Sequence, residues 1–437
     1  MAPNTTVMQA VEQLGYRVTV GDVAAQAGLD VNLAQRELLN LASDVGGHLQ
    51  VAESGEIAYL FPENLRGVLR NKFLKLRLKE WWEKVWRVLF YLIRISFGIV
   101  LVVSILVIFV AIALILIAMN SSRSDSDRGS DSGGGMVFLP NFWIGPNWFW
   151  FFDPNPSRGY NARTRSPSRG SSDKPMNFLE AIFSFLFGDG NPNADLEDRR
   201  WQTIGTVIRN NQGAVVVEQI ASYLDNPASK ADEDFMIPVL TRFNGRPEVS
   251  PDGAIIYHFP ELQSTAARRR PQAVSAYLRE LPWRFSRASS GQILLATGLG
   301  ALNLIGALVL GSLLSDGAIA AQVGGFVALV QSIFVLLLGY GTAFLSIPLL
   351  RYFWIQWRNR QIEVRNQQRQ ASAVSLNQAD AALQEKLAYA RQFAAEIVVS
   401  RENLAYTTEE NLLEQEAEHG NAIDAEWERR LNQSGPP

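Results

Sequence analysis

The residue types that most often carry chemistry are sparse in this chain and do not converge. There are no cysteines in 437 residues. That excludes disulfides, thiolate zinc sites, cysteine nucleophiles and cysteine-ligated iron–sulfur clusters within the chain. The histidines are His48, His258 and His419, too few and too scattered to anchor a catalytic triad. Asp189-Gly190-Asn191-Pro192-Asn193 has the flavour of a calcium loop. Its sixth position is Ala194 where glycine is needed, and its twelfth is Arg200 where a bidentate glutamate is needed. A turn followed by a helix cap accounts for it. No glycine-rich phosphate loop or metal-ligand spacing stands out, so no catalytic, cofactor-binding or metal-ligating residue is assigned and an enzyme is not expected.

The elements that would have to position any site are partly membrane-like. Hydrophobic residues make up 47% and charged residues 19%, the latter below the ~25% of ordinary soluble chains. The apolar residues are concentrated in long runs at 95–119, 291–314 and 319–350. As a helix the first reaches roughly 37 Å, beyond a hydrocarbon core of ~30 Å. Trp81, Trp82, Trp86, Trp283, Trp354 and Trp357 flank the runs, where indoles favour the headgroup level. Arginines and lysines crowd 66–94 before the first run, 266–290 before the second and the stretch after the third. By the positive-inside tendency all three basic regions read as cytoplasmic. One span between two cytoplasmic regions gives the wrong parity unless the aromatic segment 136–152 re-enters the membrane. If that segment instead lies at the interface, either the second region is translocated or the charge tendency misleads. None of the runs holds Asp, Glu, Lys or His internally, which argues against ion-coupled transport. The glycines of the last two runs (Gly298, Gly300, Gly306, Gly311, Gly324, Gly325, Gly339 and Gly341) predict close helix packing, with Asn303, Gln322 and Gln331 as interhelical polar groups.

A repeat organises the remainder. VAESGEIAYLFPE (51–63) and VSPDGAIIYHFPE (249–261) share seven identities at a constant offset. LGYRVTVGDVAAQAG similarly resembles QGAVVVEQIASYLD upstream. Each copy predicts a helix (about 7–14; 202–210), a second helix opening near Asp22 or Glu218, and a third (32–42; 234–242). A hairpin follows, turning at Ser54-Gly55 or Asp252-Gly253, dipeptides suited to a tight turn. Three helices and a hairpin make the winged-helix plan. The presumed recognition faces carry Asp30, Glu37 and Asp44, or Asp232, Glu233 and Asp234. Copy 1 has two arginines against seven acids over 5–60. DNA binding, which needs lysine and arginine on phosphates, is therefore the runner-up to protein docking, and the basic stretch 66–94 is assigned to anionic lipid headgroups. His258 falls where the first copy has Leu60, which suggests packing.

Residues 120–176 read as a Ser/Gly/Arg/aromatic linker, and 178–188 as a short apolar helix lying on the membrane or on the second copy. After Pro348 no proline occurs until Pro436, so the third run is expected to continue as a helix beyond the membrane. Leu383, Leu387, Ala390, Ala394 and Ile397 form a stripe at helical spacing; self-packing, a coiled coil and a partner dock all fit it.

FLEAIFSFLFGDGNPN, RWQTIGTVIRNNQGAVVVEQIASYLD, the YHFP strand and NRQIEVRNQQR resemble a membrane-protein family shared by cyanobacteria and plant chloroplasts. The resemblance covers nearly all of the chain from 176 onward and the first copy more loosely. It brings no catalytic residues. Plant members sometimes bear an iron–sulfur biogenesis label, which a cysteine-free chain does not support. The resemblance implies a thylakoid or plasma membrane location, in a cyanobacterium given that no transit peptide opens the chain.

The expectation is an α-helical membrane protein with two small α+β winged-helix-like domains (1–65 and 177–265) and a long helical C-terminal region (351–437) ending in an acidic tail. Its N-terminal domain would be cytoplasmic. Its partners would be membrane lipids and a membrane protein complex, with a homo-oligomer open and nucleic acid not expected. The function expected is scaffolding or assembly of a photosynthetic membrane complex; a membrane-tethered transcription regulator is the alternative.

Overall fold

A computed structural model describes residues 4–72, 74–123, 176–225, 233–268, 270–315, 323–378, 380–411, 415 and 427–430. The aromatic segment 136–152, whose entry into the membrane is open from sequence, and most of the linker at 120–176 lie outside these residues. The chain divides into two units. One comprises Met1–Trp82, Pro192–Pro282 and Gln361–Pro437; the other comprises Glu83–Asn191 and Trp283–Arg360.

In the first unit the helices of copy 1 are fixed by their ends. Helices α1 (Thr5–Leu14), α2 (Val20–Ala27) and α3 (Val31–Val45) start at Asn4, Thr19 and Asp30. Each of these side chains accepts a hydrogen bond from an otherwise unpaired N–H of the first turn. All three end on a left-handed glycine (Gly15, Gly28 and Gly46), a conformation that costs glycine nothing. The expected hairpin forms from β2 (His48–Ala52) and β3 (Ile57–Leu60), and Gly55 supplies the positive φ of its turn. A further strand, β1 (Arg17–Thr19), pairs with β3. Helix α4 (Leu65–Lys72) follows the hairpin and buries Leu65 and Leu69 in the core.

Copy 2 repeats the plan with α7 (Leu196–Asn210), β4 (Ala214–Val215), α8 (Val217–Ala221) and α9 (Ile237–Phe243). The hairpin of β5 (Arg246–Val249) and β6 (Ile255–His258) completes it. The expected third helix at 234–242 opens as a 3-10 turn at Glu233–Met236, and the α-helix starts only at Ile237. Pro238 is in the first turn of that helix, where its missing N–H has no intrahelical partner to lose. The hairpin registers are equivalent: Val51 opposes Ile57 as Val249 opposes Ile255. The copies do not have separate cores. Val11, Leu38, Tyr59 and Leu65 belong to the same buried cluster as Trp201, Ile204, Phe243 and Phe259.

The second unit contains α5 (Leu74–Arg123) from Glu83 onward, α6 (Phe178–Phe187), α10 (Ser290–Leu314) and the first part of α11 (Gly325–Asn377). Three of these, α5, α10 and α11, are long and apolar enough to cross a membrane. Helix α11 runs without interruption from Gly325 through Pro348 to Asn377, and positions 319–322 of the expected third run lie outside the described residues. Helix α6 packs among the apolar helices: Ile182 and Phe185 share a cluster with Leu101, Ala296 and Phe344. Glycine packing is selective. A Cβ at Gly300, Gly306, Gly311 or Gly341 would press into Phe344, Ile108, Phe334 or Asn303, whereas Gly298 and Gly339 face open space. Buried Asn303 donates to Ser104 Oγ at 2.7 Å, an α10–α5 bond, while Gln331 is exposed. Trp81, Trp82, Trp86, Trp354 and Trp357 are exposed, and Trp283 meets Trp354 edge-on at 5.2 Å. The Asp189 carboxylate is filled by protein donors: Ser184 Oγ at 2.8 Å, the Arg287 N–H at 2.8 Å and Arg94 at 3.5 Å. Those contacts explain its place in the loop without a cation.

Candidate docking surface

Copies 1 and 2 meet where α2 crosses α7. Small residues allow the approach: a Cβ on Gly205 would lie 2.8 Å from Ala25 Cα, and one on Gly28 would lie 2.7 Å from the Gln202 nitrogen. Asp22, fully buried, sits at this crossing with two functions. Within α2 it accepts from the Thr19 N–H at 3.0 Å, closing the capping box. Across the seam it accepts from Thr265 Oγ1 at 3.0 Å and the Ala266 N–H at 2.9 Å, and it pairs with Arg209 at 2.7 Å. A buried carboxylate is tolerable because it is surrounded by donors.

The seam also engages the arginines. Arg17 donates to the carbonyls of Ala266 (2.6 Å) and Val399 (2.7 Å) and to Gln50 Oε1 (2.8 Å). Burial, reinforced by the charge of Arg401 and opposed by Asp22, brings its pKa below the ordinary arginine value. Arg242, on the third helix of copy 2, lies over the Trp201 ring at 4.4 Å and donates to the Gly28 carbonyl. Burial likewise lowers its pKa, with Glu197, Asp30 and Asp198 opposing. Arg17, Arg209 and Arg242 thus hold the copies together instead of facing outward as phosphate contacts. The exposed face of α3 carries Asn32, Gln35, Arg36, Leu39, Asn40 and Ser43, nearly neutral. Asp30 caps α3, and Glu37 and Asp44 are half-buried. Asp232 lies outside the described residues.

The C-terminal segment wraps this body. Helix α12 (Ala381–Gln392) lays Leu383, Leu387 and Ala390 against Val216 and Ile256 of copy 2. The first three residues of the expected stripe thus self-pack. The helix ends at Gln392, so Ala394 lies beyond it and Ile397 is in a strand, and the expected helical C-terminal region gives way to short strands. Next, β8 (Ile397–Val398) pairs parallel with β7 (Ser264–Thr265). Then β9 (Leu404–Thr407) joins β2 of copy 1, giving the sheet order β1-β3-β2-β9. Both described histidines contact this segment. His48 Nδ1 lies 3.1 Å from the Thr408 carbonyl, and the His258 ring lies 5.9 Å from that of Phe393. His419 is outside the described residues.

An ionic cluster anchors the end of α11. Arg369, fully buried, donates to the Leu224 and Leu278 carbonyls and pairs with Asp225 (2.6 Å) and Glu280 (3.0 Å). Arg365 closes a two-toothed pair on Glu280. Burial raises the Glu280 pKa, but the hydrogen bonds and charges of Arg365 and Arg369 outweigh it and hold the carboxyl below its ordinary range. Two clefts open on the unit. One, of about 160 Å³, is lined by Gln26, Thr206, Arg209, Asn210, Gln263 and Glu396. The other, of about 270 Å³, lies between the end of α7 and α12. Among the described residues no three metal-ligating side chains cluster. The pairings in the seam and its covering were not legible in sequence; only the capping pattern Thr19-x-x-Asp22 gave a local sign of Asp22.

No protein-family model matches the chain, and no solved structure matches it. Over 447 aligned residues it is 39% identical to an uncharacterized chloroplastic protein of Arabidopsis thaliana, covering 98% of this chain and 82% of the plant protein. This chain belongs to the family of that plant protein. The shared length means that the family includes the apolar helices as well as both copies.

Proposed function

We propose that the protein is a membrane-anchored docking protein that assists assembly or organisation of a photosynthetic membrane complex, its two winged-helix-like copies acting as one binding body. The observation that carries the reading is the fused seam: Arg17, Arg209 and Arg242 are engaged internally, leaving a near-neutral α3 face suited to protein more than to a duplex. The three apolar helices supply the anchor, and the chloroplastic setting of the plant relative supports a thylakoid or plasma membrane. In this reading both copies lie on one side, the cytoplasmic one; the shared core and the basic residues before α5 support it.

The test is purification of the tagged protein from its native membrane in mild detergent, followed by mass spectrometry. Recovery of the subunits of one complex in fixed ratio is expected. Recovery of the protein alone across several detergents removes the docking reading.

A further inference from the structure

The repeat makes it possible to compare the outer edges of the two hairpins residue by residue. In copy 1 the outward-facing backbone of β2 is paired. The Leu49 carbonyl accepts from the Thr408 N–H, the Leu49 N–H donates to Thr408 Oγ1, and the Glu53 N–H donates to the Asn403 carbonyl. At the constant offset of the repeat, Leu49 corresponds to Pro247 and Glu53 to Pro251. Two of the N–H groups that receive a strand in copy 1 are therefore missing in copy 2, leaving only Val249, the counterpart of Val51, between the prolines. Proline is a standard means of blocking a sheet edge. The Val249 carbonyl, between those prolines, accepts from Tyr389 Oη of α12 at 3.3 Å. One hairpin has an edge that accepts a strand; the same edge of its duplicate is interrupted by proline on both sides of Val249.

The strand that fills the open edge is weakly held. It is four residues long, its register breaks between Val51 and Ala52, and Ala405 and Tyr406 are exposed. Its apolar support is Leu404 against Ala52, Ala58 and Val399. Short strands with few buried contacts open at low free-energy cost. We propose that β9 is an internal placeholder and that the copy 1 wing edge receives an extended peptide of a partner protein, antiparallel to β2, when β9 leaves. The inference rests on the docking reading and gives the partner its chemistry. With β9 as its pattern, the peptide carries an aliphatic residue at the position of Leu404 and a hydroxyl at that of Thr408, both engaged by the edge. Because a tethered strand competes at ~mM effective concentration, the intact protein holds the edge closed to a peptide of micromolar affinity.

The test uses the full chain in detergent and a fluorescent peptide of residues 403–409 (NLAYTTE) as probe. Tyr406→Pro with Thr408→Pro dislodges β9, and at least ten-fold tighter probe binding than in the intact chain is expected. Adding Glu53→Pro, which copies Pro251 onto copy 1, returns binding to the intact level. The proposal is overturned if the dislodged variant keeps its circular dichroism and melting temperature without gaining probe binding, or if Glu53→Pro leaves the gain unchanged. Dimerisation of the dislodged variant in light scattering, in place of probe binding, also overturns it by making a second copy the occupant. Co-purification with the same variants separates the two readings. Partners recovered equally from all variants leave docking intact and remove the edge; probe binding that behaves as expected with no partner recovered does the reverse.

Discussion

Asp22 joins two kinds of bonding that are usually made by different residues, a helix cap and a tie between duplicated domains. Its partners Thr265, Ala266 and Arg209 all lie in or beside copy 2. Asp22→Ala leaves Arg209 without its carboxylate, with only Thr265 Oγ1 at 3.1 Å beside it, and the Ala266 N–H unsatisfied, and should destabilise the unit by about 3–5 kcal/mol. Chemical denaturation of the detergent-solubilised chain measures it. Glu280 offers a pH-dependent counterpart. Its folded pKa is below the ordinary value, so its contribution is complete above that value and falls away as pH drops through the folded one. The Glu280→Gln variant should therefore lose less stability between pH 6 and about pH 3 than the native chain, as read from melting temperatures across that range.

At the scale of elements, Gly205 marks the crossing that a side chain would separate. Gly205→Val places atoms against the Ala25 backbone and should cost about 1–3 kcal/mol. A thermal melt reads the loss, and Gly298→Val, which faces open space, serves as the control. The hairpins were legible because alternation and Ser-Gly or Asp-Gly turns specify register locally, and Gly55 and Gly253 adopt the same positive φ. The three helices of copy 1 were legible in outline, without the capping side chains and left-handed glycines that end them. Strands β1, β4, β7, β8 and β9 were not, because two to four residues show no period and their partners lie far off in the chain. Asp22 was hidden for a related reason: an acid at the third position of a helix looks like an ordinary cap, and nothing nearby announces Arg209 or Thr265. Helix α6 was visible as apolar, but whether it joined copy 2 or the long helices depended on the facing side chains Leu101, Ala296 and Phe344.

For the whole molecule, the shared core makes a prediction about sidedness. A cysteine-free chain accepts single reporters cleanly. Ser54→Cys and Asp252→Cys, both on exposed hairpin turns, should react with an impermeant maleimide from the same side of sealed vesicles. Reaction from opposite sides would contradict a common core.

The prolines at 247 and 251 also bear on the order in which the protein is made. Strand β2 ends at Ala52 and its neighbour β9 begins at Leu404. At ~5–20 residues per second a ribosome takes roughly 20–70 s to cover that interval. Throughout this time the first hairpin would have one side open, while the second hairpin is synthesised ahead of the last strand. Two hairpins of equivalent register would then compete for a single late arrival, and the nearer in sequence would have the advantage. With two of the receiving N–H groups absent from the second, the competition would favour the hairpin that was made first.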